Sequence, residues 1–241
     1  MARIFITGSA DGLGQLAAKA LIAQGHQVVL HARNETRGQQ AMDQVRGAEG
    51  VVTADLAIID DTKELASKIN ALGTFDAVIH NAGVYQDSAE QILAVNTLAP
   101  YILTCLVQRP ERLIYLSSGM HMQGHFRPES FNGGRISYSD SKLHVLMLTK
   151  AVARRWTDVY SNAVDPGWVP TKMGGKGAPD DLKKGYETQV WLSISNQAEA
   201  KVSGNYFHHQ EVTDHNPEAD DVRLQEKFLS LCEEVTGVSF P

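Results

Sequence analysis

Cysteine is nearly absent: Cys105 and Cys232 are the only two in 241 residues. That is too few for a disulfide framework, and a reducing compartment is the default. No apolar run approaches the roughly 18 residues that a membrane-spanning helix needs. Charge of one sign never accumulates. Twenty-two Lys and Arg face 28 Asp and Glu, mixed along the chain, for a net charge of -6. A nucleic-acid partner would want a basic stripe, so that class is disfavoured. Five histidines, His121, His125, His208, His209 and His215, have no ligand spacing with acids or cysteines, so no metal site is expected. No linker, repeat or low-complexity segment divides the chain. Met1 to Gly8 runs straight into a strand and a glycine, which leaves no room for a signal peptide, and a cytoplasmic address is expected.

Short β-branched runs do alternate with longer helical stretches. Strands are expected at 3–6, 28–31, 51–54, 75–80, 112–116, 158–163 and 204–207. Helices are expected at 13–24, from Asn34 to about 46, from 60 or 61 onward, at 89–107, 137–156, 181–197 and 218–235. Alternation of this kind gives a mostly parallel, doubly wound α/β sheet, here of seven strands, with helices on both faces. With 43% hydrophobic residues, the whole of 1–241 reads as one domain. Its longest irregular stretches, Gly119 to Gly134 and Gly167 to Pro179, follow strand ends on the side where such sheets bind ligands, and substrate-binding segments are expected at about 119–134 and 167–200.

Between the first strand and helix stands Thr7-Gly8-Ser9-Ala10-Asp11-Gly12-Leu13-Gly14. Glycines at these positions allow a tight turn, close approach to a pyrophosphate and packing of the helix on the sheet. The helix N-terminus adds free N–H groups and partial positive charge. A plain βα turn needs only one glycine, so the triplet in this strand–turn–helix setting favours a Rossmann-type dinucleotide site. At the end of the second strand, His31-Ala32-Arg33-Asn34 lacks the carboxylate that holds NAD ribose. Arg33 can instead grip a 2′-phosphate, or be a solvated arginine; the missing acid favours the first reading and NADP(H) over NAD(H). Asp11 puts a contrary negative charge nearby. Further on, Tyr138 and Lys142 are four residues apart on a helix and share a face. A free phenol titrates near 10, and a neighbouring ammonium favours its phenolate.

Asn81-Ala82-Gly83, Ser117-Ser118, Tyr138-Ser139-Asp140-Ser141-Lys142 and Asp165-Pro166-Gly167-Trp168-Val169-Pro170-Thr171, together with the glycine loop and in this order, resemble the short-chain dehydrogenase/reductase family in its compact single-domain form. The resemblance runs from about residue 3 to 175. It implies that Tyr138 is the general acid/base, that Ser118 holds the substrate oxygen, and that Lys142 binds the nicotinamide ribose and lowers the tyrosine pKa. Asn96 would complete a tetrad through a water, or be a buried structural amide. Asp55 and Leu56 would flank the adenine, Asn81, Ala82 and Gly83 would line the cofactor, and Pro166, Gly167, Val169 and Thr171 would clamp its carboxamide end. The function implied is hydride transfer between NADP(H) and a small-molecule carbonyl or secondary alcohol. A likeness of the stretch from Gly119 to Lys142 to retinol-type reductases points to an apolar substrate. A regulator that binds NADPH without chemistry is the alternative. A homo-oligomer, dimer or tetramer, is the family habit, with a monomer left open because the helix before Asn96 is short.

Overall fold

The computed structural model describes residues 1–241. In chain order its elements are β1 (Arg3–Ile6), α1 (Gly12–Ala23), β2 (Gln27–Ala32), α2 (Glu35–Gln44), β3 (Gly50–Thr53), α3 (Ile59–Ala71), β4 (Ala77–His80), α4 (Ala89–Ile92), α5 (Ala99–Leu106), β5 (Arg112–Leu116), α6 (Tyr138–Arg155), β6 (Tyr160–Asp165), α7 (Lys184–Ile194), β7 (Tyr206–His208), β8 (Glu211–Val212) and α8 (Val222–Thr236). One sheet carries all the strands in the order β3-β2-β1-β4-β5-β6-β7-β8. The predicted seven strands are parallel, and the sheet adds a two-residue eighth strand, β8, antiparallel to β7.

The strands are runs such as Val28-Val29-Leu30 and Leu113-Ile114-Tyr115, buried on both faces, as parallel strands between helical layers must be. On one face Leu65, Ile69, Leu103, Leu146 and Phe228 bring α3, α5, α6 and α8 onto the sheet. On the other, Ala17, Leu21, Ala41 and Leu192 bring α1, α2 and α7. From β1 the chain winds outward through β2 and β3, then returns to lay β4 on the other side of β1. Such a switch of direction opens a crevice at the C-terminal strand ends, where ligands of open α/β sheets bind.

The predicted helix 89–107 is continuous but not uniform. Residues Leu93–Leu98 between α4 and α5 form a π-turn, in which the Ala99 N–H reaches back five residues to the Ala94 carbonyl. Pro100 stands next in line and has no N–H to offer the Asn96 carbonyl four residues earlier, while its ring crowds that position. The last helix begins at Val222 rather than 218, because Pro217–Asp220 takes a 3₁₀ turn and the Asp221 carboxylate caps the Arg223 and Leu224 N–H groups. The segment expected to be irregular at 119–134 holds two 3₁₀ turns, Gly119–Gln123 and Pro128–Asn132. After α8 the chain end lies along α5 and α6: the Tyr101 hydroxyl donates to the Val238 carbonyl at 2.7 Å, and Phe240 stacks on Trp156 at 5.2 Å between centroids.

Candidate active site

The phosphate loop is shaped by close packing. Gly8 has φ +62°, and a Cβ there would stand 2.9 Å from the Ala82 backbone; at Gly14 a Cβ would stand 2.4 Å from Asn81 Nδ2. The Asn81 amide in turn donates to the carbonyls of Thr7 and Gly8 at 2.9 and 3.1 Å. Thr7 Oγ1 accepts from the N–H groups of Asn81 and Ala82, each at 3.0 Å. Asp11 forms no side-chain cap on α1, so the first-turn N–H groups of that helix keep their capacity for a ligand. Nothing stands within 4 Å of a Cβ built on Gly12. A backbone cradle with open space above it and uncapped amides behind it fits the pyrophosphate of a dinucleotide.

Ser9, expected at the cofactor, is fully buried. Its hydroxyl donates to the Ile6 carbonyl at 2.9 Å and accepts the His31 N–H at 2.9 Å. Its side chain therefore serves the loop's shape and does not face a ligand. Asp55 turns its own chain, accepting the Ala57 N–H at 3.0 Å, and Leu56 beside it is buried.

At the C-terminal end of β5, Ser118 stands beside Tyr138, the first residue of α6. A capping box fixes that helix start: Ser137 accepts the Asp140 N–H and Asp140 accepts the Ser137 N–H. Lys142 lies one turn on, fully enclosed. Its Nζ donates to the Leu116 carbonyl at 2.8 Å and stands 5.4 Å from the Tyr138 ring centre. Gly83 leaves the room in which this ammonium and Asn96 meet, since a Cβ there would stand 3.4 Å from both Lys142 Nζ and Asn96 Oδ1. The Asn96 amide is fully used: it accepts the Val84 N–H at 2.8 Å and donates to the Val84 carbonyl and Ser141 Oγ, both at 3.0 Å.

Burial dominates the electrostatics. It pushes the Tyr138 phenol up to about 12, against the pull of the Ser118 hydroxyl and with added repulsion from Asp165. It brings the Lys142 ammonium down to about 8, and Asp165 opposes that fall. The lysine's attraction for a phenolate is thus outweighed by the desolvation of both groups.

The profile of the short chain dehydrogenase family matches residues 2–181. An uncharacterized oxidoreductase of Emericella nidulans, AN7799, is 45% identical across 100% of this chain and 99% of its own length. The chain belongs to the short-chain dehydrogenase family. The short-chain dehydrogenase chyC of Penicillium rubens is 39% identical, with both chains covered in full. A crystal structure of an uncharacterized protein from Mycobacterium paratuberculosis shares the fold with a TM-score of 0.83 at 23% identity, covering 100% of this chain and 95% of that one. Membership brings oxidoreductase chemistry and a nicotinamide cofactor.

Several residues of this dehydrogenase that shape the site carry no motif. His31 is one: its Nδ1 accepts the Gly8 N–H at 3.0 Å and its Nε2 lies 3.1 Å from the Ala54 carbonyl, so it is a neutral bridge between three strand ends. Burial holds its pKa down at about 4. Arg37, on the first turn of α2, pairs with Asp11 at 2.5 Å and so neutralises the contrary charge in the loop. Arg33 is exposed. Gly185 lets the start of α7 sit against Leu13 and Val169, where a Cβ would be 2.8 Å from Val169 Cγ1. Val169 is buried there, and Thr171 folds back, its N–H donating to the Val169 carbonyl at 2.7 Å. His121, on the segment after β5, is fully buried: Nδ1 meets the Ser118 carbonyl at 2.7 Å and Nε2 accepts the Asn216 N–H at 3.1 Å. No group of three or more His, Cys, Asp or Glu is placed to hold a metal ion.

Proposed function

We propose that the protein is an NADP(H)-dependent oxidoreductase acting on a carbonyl or secondary alcohol. The observation that carries this reading is the convergence of Ser118, Tyr138 and Lys142 at the end of β5, across the crevice from the glycine loop. Bound nicotinamide would supply or accept the hydride. Ser118 donates to the substrate oxygen and fixes its position. Tyr138 gives that oxygen a proton in the reductive direction and takes it back in the oxidative one. Lys142 supplies the positive charge that makes the phenolate form accessible during turnover and is placed to meet the ribose. Asn96, through Val84 and Ser141, positions the wall around Lys142. Gly8, Ala10, Gly12, Leu13 and Gly14 would cradle the phosphates, Asp55 and Leu56 the adenine, and Pro166, Gly167, Val169 and Thr171 the carboxamide end.

Arg33 supports the choice of NADP(H). It is exposed beside the loop, while Arg37 already neutralises Asp11, so a 2′-phosphate would meet a free guanidinium. A regulator that only sensed NADPH would have no use for the Tyr138–Lys142 pair, and we do not favour it. Two unbridged thiols suit a cytosolic address. Exposed Tyr85, Met120, Met122, Trp168 and Met173 on the flanking segments suit a substrate with an apolar body.

Tyr138→Phe tests the reading. Carbonyl reduction should fall about a thousandfold, while NADPH titrated by its fluorescence still binds with nearly the original affinity. Retained turnover would overturn the mechanism. The pH profile adds a sign: reduction should decline as pH rises through about 8, where Lys142 loses its charge.

A further inference from the structure

Beside Gly119, next to the reacting groups, opens a cleft of about 230 Å³ lined by His121, Asp165, Tyr206, His208 and Asp214, with no lysine or arginine in its wall. Asp165 ends β6. One carboxylate oxygen accepts the Gly167 N–H at 2.9 Å. The other looks past Gly119, where a Cβ would be 3.0 Å away, and is 3.6 Å from His208 Nδ1, too far for a hydrogen bond. Tyr206 is 98% buried (2% exposed), and its hydroxyl faces this carboxylate without making a hydrogen bond of good geometry to it. A buried hydroxyl so poorly paired at a cavity wall calls for an explanation, and a donor drawn up to the Asp165 carboxylate beside it supplies one. Asp214, at the mouth, is exposed and in no ion pair. His121 adds no charge, since both its nitrogens are engaged by Ser118 and Asn216.

A two-residue turn joins β7 to β8 next to the cleft residues His208 and Thr213. His209 and Gln210, between β7 and β8, both lie in the left-handed region, with φ +50° and +67°. This is the geometry that a two-residue hairpin between antiparallel strands requires.

We propose that this cleft receives an ammonium group carried by the ketone or alcohol substrate, with Asp165 as its principal acceptor, Asp214 as a secondary one at the mouth, and the Tyr206 hydroxyl beside them. The inference rests on the oxidoreductase reading above and refines its substrate class: an apolar body at the rim and a cationic arm in the cleft. Carboxylate-bearing ketones are disfavoured by the same two acids.

Three phenyl ketones provide the test: propiophenone, 3-amino-1-phenylpropan-1-one, whose alkylamine is protonated, and 3-benzoylpropionate, with NADPH at pH 7. The aminoketone should show a KM at least about tenfold below that of the neutral ketone, as expected for a charge-assisted hydrogen bond, and the acid should be the poorest. Asp165→Asn, whose amide oxygen can still accept the Gly167 N–H, should erase most of the cation preference, and Asp214→Asn a smaller part. A preference for the neutral ketone, or a preference for the cation that survives Asp165→Asn, overturns the proposal. Where none of the three turns over, calorimetric binding to the protein–NADPH complex is read instead, with the same ranking expected and equal affinities overturning it. Failure to bind NADPH at all would count against the oxidoreductase reading and not against the cleft's charge preference, which the same calorimetry measures on the protein alone.

Discussion

Around the ends of β1 and β2 the polar side chains are tied to backbone groups: Thr7 to Asn81 and Ala82, Ser9 to Ile6 and His31, His31 to Gly8 and Ala54. Around the ends of β6 and β7, a short distance across the same crevice, Tyr206, His208 and His209 each keep a buried polar atom without a hydrogen bond. The first region is finished before any ligand arrives and presents only backbone to it. The second is left incomplete in side-chain hydrogen bonding. A cofactor shared by many enzymes needs a fixed cradle, and a particular substrate needs groups that are free to meet it.

That contrast can be broken most severely at Gly14. Gly14→Val would force a side chain onto Asn81 and the Gly8 carbonyl, so both NADPH binding and the melting temperature should fall, with a loss of about 3 kcal/mol or more in denaturant unfolding. At the cofactor's far end, Arg33→Ala should weaken NADPH binding about ten- to a hundredfold and leave NADH nearly unchanged; an equal loss for both would remove Arg33 from the site. Ser9→Ala leaves the buried His31 N–H without its acceptor and should cost about 1–3 kcal/mol. Tyr206→Phe, on the incomplete side, deletes a hydroxyl that has no partner and should be within about 1 kcal/mol of neutral or stabilising. If Tyr206→Phe cost as much as Ser9→Ala, the contrast would be wrong.

Acid should act on the finished side and the core together. Burial lowers the pKa of His31 to about 4, of His80 to about 3 and of His144 to about 4, against about 6.5 in an unfolded chain. The unfolded state therefore binds more protons between those values. Stability is complete above about pH 6.5 and is lost as pH falls toward 4, at up to about 1.4 kcal/mol per pH unit for each histidine. His31→Gln should reduce that slope in urea titrations at pH 5 and pH 7; an unchanged slope would show that His31 does not contribute.

The parallel sheet, its strand positions and the helices were legible because each rests on local periodicity and on a terminator or cap, such as Asn34 before α2 or Gly25 after α1. The glycine loop and the Tyr138–Lys142 pair were legible because close approach and the helical i, i+4 repeat each restrict which residues can stand there. His31, Arg37, Asp165 and Gly185 were not, because their roles depend on partners 16 to 172 residues away in sequence or on the crossing of two elements. Ser9 shows the converse: a residue inside a recognisable loop whose side chain turns inward. The eighth strand escaped because two residues carry no alternation, and Glu218 to Asp220 reads as α-helix because polarity alone does not separate a 3₁₀ turn from a first helical turn.

The π-turn at Leu93–Leu98 sets a limit on what the chain can tolerate. An α-helix advances about 100° per residue, so the one extra residue in this turn rotates everything beyond it by about that angle. Asn96 faces the wall around Lys142 on one side of the turn, while Tyr101 and Leu103 face the core on the other. Any single-residue deletion between Leu93 and Leu98 would regularise the helix and put one of those two faces out of phase. Asn96 apart, the segment is therefore measured by length rather than by composition: conservative replacements within it should be accepted where removal of one residue is not.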